Sequence, residues 1–231
     1  MADPADSDDI PDYWNDWKLD PDEFNRIIHG NSNALSAIFG YVAEERLREM
    51  YLDDHPDVEN IRTPKDQDSD DKGDWAFEYG GEPMKIEVKS LQTRTIKRLN
   101  DPGQETLSDD DETGGRWEAG FHIKGTSDQR AVTYNGDEYN TTLMNVETSD
   151  VDIMAVNLYR IEDEWRFAFI RLTDLPRSQG NYPDGLKQQL SKSMPKITVP
   201  LEDPFTDDLD ALMDDILEER ESEQSDRETL T

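Results

Sequence analysis

Apolar and polar residues alternate along two short stretches in the first half of the chain, with two glycines between them. Trp75, Phe77 and Tyr79 take every second position, Gly80-Gly81 follow, and Met84, Ile86 and Val88 resume the alternation. A period of two belongs to a half-buried strand, and a glycine pair suits a tight turn. The pattern therefore predicts a β-hairpin from Asp74 to Lys89, ending near Leu91. Side chains two apart point the same way, so Glu87 and Lys89 share one face of the second strand.

Helical spacing precedes the hairpin. Asp20-Pro21 has the form of an N-cap followed by proline at the first helical position, opening a short helix through Ile27 and Ile28. A longer helix is predicted over 33–52, where Leu35, Ile38, Phe39 and Val42 mark the face expected to be buried. Residues 53–73 read as a polar connector.

Strand periods return after an acidic loop at 100–115. Strands are expected near 117–124, 129–134 and 137–143, the last two joined by Asn135-Gly136, a strong hairpin signal. Val151 to Tyr159 is almost continuously apolar, as expected of a central strand covered on both faces, and Trp165 to Ile170 is a second such strand. A helix over about 184–192, a short edge strand at Ile197 and Val199, and an amphipathic helix from Asp207 to Arg220 complete the order. That last helix has Leu209, Leu212, Met213, Ile216 and Leu217 on one side; packing on its own core is favoured over a dimer contact. The fold class is α/β (α+β), with a mixed central β-sheet flanked by helices. The expected organisation is an acidic arm at 1–20 with Tyr13, Trp14 and Trp17 as docking aromatics, a domain at 21–200, and a C-terminal helix with a disordered acidic tail at 201–231.

Charge changes this picture. Fifty-five acids face 24 bases in 231 residues, a net charge of -31. Such self-repulsion opposes a compact fold unless salt screens it, and at molar salt the Debye length is about 3 Å. Because the acids run through nearly every loop, a halophilic protein is the simplest account, ahead of a DNA mimic. With no cysteine, disulfides and thiolate metal sites are excluded. No apolar run reaches membrane length and no signal peptide is apparent, so a cytoplasmic protein without a membrane partner is expected. His29, His55 and His122 lack zinc-ligand spacing, and no nucleophile elbow, Walker loop or dinucleotide fingerprint occurs, so no nucleotide cofactor is expected.

The chemistry concentrates on the hairpin. Asp74 and Glu87, on neighbouring strands, could converge on one hard divalent cation, with the Val88 carbonyl as a further ligand. Lys89 would then stand beside an activated water and a phosphate. Two stretches run against the acidic average: Gly81 to Asn100 carries Lys85, Lys89, Arg94, Lys97 and Arg98 against Glu82 and Glu87, and Leu175 to Pro200 carries Arg177, Lys187, Lys192 and Lys196 against Asp184. Arg94, Lys97, Arg98, Lys187 and Lys192 are the expected DNA-backbone contacts. The competing account is salt bridges on an ordinary hairpin.

Asp74, twelve residues, then Glu87-Val88-Lys89 on an apolar strand resembles the PD-(D/E)xK nucleases, the restriction-endonuclease-like fold. The resemblance spans 33–171, and Gly73 stands where the family name has proline. It implies a glutamate from the preceding helix, best matched by Glu44 with Glu45 as alternative, and an auxiliary polar residue after the lysine, matched by Gln92. It further implies Mg²⁺ as cofactor, with Mn²⁺ as a substitute, DNA as partner, and a homodimer in which two sites cut two strands. The expected activity is metal-dependent endonucleolytic cleavage of DNA, of a restriction or defence kind. Alternatives are a junction-resolving or repair nuclease and a catalytically silent DNA-binding or acidic interaction module.

Overall fold

The computed structural model describes residues 18–64, 73–99, 115–123 and 130–229. The aromatic positions 13, 14 and 17 and nearly all of the acidic loop at 100–115 lie outside them.

Helix α1 (Pro21–His29) starts as its sequence dictates: the Asp20 carboxylate accepts the Glu23 amide at 2.7 Å and proline fills the first position. Helix α2 (Ser32–Tyr51) is capped by Asn31, whose side-chain oxygen accepts the Ala34 amide at 3.1 Å; such a cap contributes about 1 kcal/mol. Strand β1 (Val58–Arg62) lies inside the stretch expected to be a connector. Its register shifts between Glu59 and Arg62, where Asn60 has a φ of 55°, and it forms one edge of the central sheet. The burial there is slight, with Val58 and Ile61 half-buried, which leaves little periodic signal.

The hairpin forms as expected. Strands β2 (Trp75–Tyr79) and β3 (Glu82–Ser90) pair antiparallel, Trp75 opposite Ile86 and Phe77 opposite Met84. Gly80 and Gly81 adopt φ of 59° and 87°, the doubly left-handed turn that joins twisted strands in two residues. Strands β4 (Lys97–Leu99) and β5 (Arg116–Gly120), then the hairpin β6 (Arg130–Tyr134) and β7 (Asp137–Thr141), precede the central strand β8 (Ile153–Asn157). The short α3 (Tyr159–Glu162), β9 (Phe167–Arg171), α4 (Asp184–Gln189), β10 (Lys196–Val199) and α5 (Leu209–Thr229) complete the chain.

The central sheet has the order β1-β2-β3-β8-β9, with β3 and β8 parallel and the other pairs antiparallel. One face carries Trp75, Phe77, Met84, Ile86, Val88, Ile153, Ala155, Phe167 and Phe169 and is packed by Ala43 and Leu47 of α2 and by Leu209, Leu212, Met213 and Ile216 of α5. The opposite face, through Met154, Val156, Ala168 and Ile170, packs on a second sheet of order β10-β5-β4, by way of Ala119, Ile197 and Val199, and on neighbouring loop residues such as Phe121. The fold is thus mixed α and β, with a mixed central sheet and its long helices on one side. No helix among the described residues is long and apolar enough to cross a membrane.

Two expectations are corrected. The buried face of α2 is not the one the spacing marks: Leu35 is 45% and Val42 38% exposed, whereas Ala43 and Leu47 are fully buried. Only the C-terminal half of α2 lies on the sheet core. The apolar side of α5 enters this chain's own core, the placement favoured from its spacing. Residues 221–229, expected as disordered tail, continue α5, exposed over 221–227, with Arg227 four residues from Glu223 at 3.7 Å. Helix-favouring Glu, Gln and Arg suffice once the packed first half has nucleated the helix.

Candidate active site

Asp74 sits immediately before β2 and is tied to β3 twice. Its amide donates to the Ile86 carbonyl at 2.9 Å, and its carboxylate accepts the Val88 amide at 2.6 Å. On β3 the apolar residues Met84, Ile86 and Val88 turn toward the helices, so Lys85, Glu87 and Lys89 must turn toward the opposite face. Glu87 and Lys89 form an ion pair there, with 18% and 22% of their side-chain surface exposed.

Glu44 of α2 reaches this group only as a charge acting on Lys89. The indole of Trp75, the residue after Asp74, donates to the Glu44 carbonyl at 3.0 Å, and Arg48 lies over the same ring at 5.2 Å. Trp75 therefore fixes the helix against the start of β2. Alternation alone assigns Trp75 only to the core; its place directly after Asp74 is the signal that could have found its second role. Glu45, about 100° further round α2, is exposed and lies 3.5 Å from Arg48, so it stands outside the group.

Lys89 registers the charges around it. Burial pushes its pKa down, but the carboxylates of Glu87, Asp74 and Glu44 together outweigh burial, and the net shift is upward from 10.5. Three acids from three places in the chain thus act on one ammonium. Asp74, Glu87 and Glu44 offer oxygen donors of the kind a hard cation takes, and Mg²⁺ is typically held by one or two protein carboxylates plus water and phosphate. The donor chemistry therefore fits such an ion, although among the described residues no set of three or more His, Asp or Glu side chains is gathered at metal-binding spacing.

The remaining expected residues separate. Gln92 contributes backbone: its amide donates to Gly120 at 2.8 Å and its carbonyl accepts from the Thr95 amide and hydroxyl at 2.8 and 2.7 Å. Lys97 is exposed but bonded to Glu118 at 2.8 Å; Lys196 reaches the same carboxylate at 2.8 Å, and the two lysines hold Glu118 below its ordinary pKa. Arg98 is half-buried over Gly115, where an added Cβ would fall 2.4 Å from its Nε. Lys187 pairs with Asp184 at 3.0 Å. Among the described residues, neither Arg94 nor Lys192 pairs with a carboxylate. Arg94 is exposed on the 3₁₀ turn Thr93–Thr95, five residues past Lys89.

Two other acidic places are accounted for structurally. Asp152, just before β8, accepts the Lys85 amide at 2.9 Å and pairs with Arg220 of α5 at 2.5 Å, while Asp150 pairs with Lys85. A cavity of about 490 Å³ between α2, the turn that follows it, the end of β2 and α5 is lined by Asp54, His55, Asp57, Tyr79, Asp210 and Asp214 among others. Its polar groups are mutually engaged: Tyr79 donates to Asp214 at 2.7 Å, and His55 accepts the Asp57 amide at 3.1 Å and faces Asp210 at 3.2 Å. Tyr79 belongs to the helix-covered face, so this cavity opens on the opposite side of the sheet from Glu87 and Lys89.

No family model matches the chain, and no curated protein or solved structure is significantly similar to it.

Proposed function

We propose that the chain is a divalent-metal-dependent DNA endonuclease of restriction or defence type, built on a restriction-endonuclease-like core. One observation carries this reading: the Asp74 carboxylate at the start of β2 accepts the amide of Val88, the residue between the paired Glu87 and Lys89 on β3. Salt bridges on an ordinary hairpin would account for the Glu87–Lys89 pair. They give no reason for Asp74 to be pinned to the Val88 amide.

In hydrolysis a water oxygen adds to phosphorus, the ester P–O bond breaks, and the departing oxygen takes a proton. The burden on the protein is to place the phosphate, hold the water and offset the developing charge. Asp74 and Glu87 would hold the cation, with the Val88 carbonyl beside them and Glu44 behind. A divalent ion bound there supplies polarisation of the phosphate and a more acidic water. Lys89 sets a positive charge at the phosphate oxygens, and its pairing with Glu87 keeps the long side chain on the site.

The test is cleavage of supercoiled and linear DNA with Mg²⁺ or Mn²⁺ across a salt series reaching molar concentrations. Lys89→Ala and Asp74→Ala are each expected to lower the rate at least about 100-fold, whereas Glu45→Ala leaves it within about twofold. Equal cleavage by wild type and Lys89→Ala would sink the assignment.

A further inference from the structure

The parallel strands β3 and β8 end side by side, and the turn beyond β8 carries a group of aromatic rings. At the end of β8, Asn157 is buried; it donates to the Ser90 hydroxyl at 3.3 Å and accepts the Tyr159 amide at 2.9 Å. Ser90 is the residue after Lys89, so α3 is fastened directly beyond the candidate site. There Tyr159 meets Trp165 at 4.6 Å between ring centroids, and both meet Phe39 of α2, at 6.0 and 5.7 Å. All three rings are half-buried, not sealed in the core. Arg160 is exposed, and its guanidinium lies over Phe39 at 4.5 Å.

Arg160 has no carboxylate partner among the described residues. Two nearby arginines are by contrast paired: Arg166 with Glu162 and Asp207, and Arg171 with Glu219. A guanidinium backed by aromatic rings and open on its outer side offers a planar cation, the surface on which nucleic-acid bases stack. A fully paired duplex hides its base faces within the stack, so this surface favours DNA with an unpaired base. Stacking is a contact interaction and persists where salt shortens phosphate attraction to a few ångströms.

We propose that Arg160, on its Phe39–Tyr159–Trp165 base, is the stacking platform for an unpaired base of the DNA strand whose phosphate lies at Lys89. This rests on the nuclease reading and favours, among its substrates, DNA with a gap, flap or single-stranded end.

The experiment uses the full chain in Ca²⁺ with two oligonucleotides, a duplex carrying 2-aminopurine beside a one-nucleotide gap and the same sequence fully paired. Wild type is expected to bind the gapped probe more tightly and to quench its fluorescence. Arg160→Ala, at an exposed position and checked for an unchanged melting curve, should lose on the order of tenfold in gapped-probe affinity with little change for the duplex. Arg160→Lys, which keeps the charge but not the plane, should lose most of the same preference. Absence of DNA binding or of quenching, equal losses on both probes, or full rescue by lysine would each overturn the platform. Quenching that survives in a protein whose cleavage ignores Lys89→Ala would support the platform and refute the nuclease reading. Lys89-dependent cleavage without quenching would do the reverse.

Discussion

Strands β3 and β8 are parallel neighbours, in register from Ile86 opposite Ile153 to Ser90 opposite Asn157, yet they live in different environments. All five residues of β8 are buried, whereas β3 alternates buried Met84, Ile86 and Val88 with half-buried Lys85, Glu87 and Lys89. The helix-covered face is the same for both. The difference lies opposite, where the small sheet β10-β5-β4 and its loops cover Met154 and Val156 of β8 but leave β3 partly open. An ionised side chain survives on a sheet only where water or a partner reaches it, so the edge of the covering layer marks where a charged site can exist.

Val156 stands opposite Lys89, so Val156→Lys places β3's residue on β8. That buries an unpaired ammonium, and a loss of more than about 4 kcal/mol is expected, a large part of the stability of an ordinary domain. Circular dichroism melting at fixed salt would show it; a folded variant with near-normal melting would mean that the second face of β8 is not sealed.

Asp152 is the charged exception at the start of β8, so removing its partner sharpens the comparison. Arg220→Ala is expected to cost about 1–3 kcal/mol at neutral pH. Burial raises the Asp152 carboxyl above its ordinary 3.8, against the opposing effects of Arg220 and the Lys85 amide. An acid whose folded pKa is raised costs folding free energy when ionised, and that cost fades as pH falls through the folded value. Without Arg220 the pKa rises further, so the deficit of Arg220→Ala should be largest near neutrality and shrink in acid. Urea titrations of both proteins across that range measure it; a deficit independent of pH would remove Asp152 from the account.

The smallest effect separates cations at the open end of the sheet from cations spent on pairing. Arg94→Ala should weaken DNA binding a few-fold and reduce the salt slope by about one, as for one lost phosphate contact. Lys187→Ala, already engaged by Asp184, should change neither. Equal effects in a salt-dependent binding assay would show that pairing does not decide which bases meet DNA.

Much of the fold is legible in the sequence because its signals are local. Alternation through Trp75 to Val88 with Gly80-Gly81 between specifies the hairpin, Asn135-Gly136 a second one, and Asp20-Pro21 the start of α1. Strands β1 and β4 are not legible, because short edge segments bury too little to impose a period. The face of α2 is misread for a related reason: helical periodicity marks an apolar stripe, but the neighbouring layer decides which part of it is covered, and here Ala43 and Leu47 are covered while Leu35 is not.

For the candidate site, the sequence alone determined that Glu87 and Lys89 share a face, since a strand has a period of two, and that Asp74 lies one hairpin away. Tertiary structure decided the rest. Whether Glu44 or Glu45 joins them depends on the rotation of α2, set by Ala43 and Leu47 in the core and by the Trp75 indole on the Glu44 carbonyl. Which bases stay unpaired depends on acids distant in sequence, as Glu118 shows by taking both Lys97 and Lys196. Ser90 and Asn157 stand side by side only because β3 and β8, more than sixty residues apart, pair in parallel and end together. Local geometry sets which side chains lie together on one element, but only long-range burial brings separate elements to the same place.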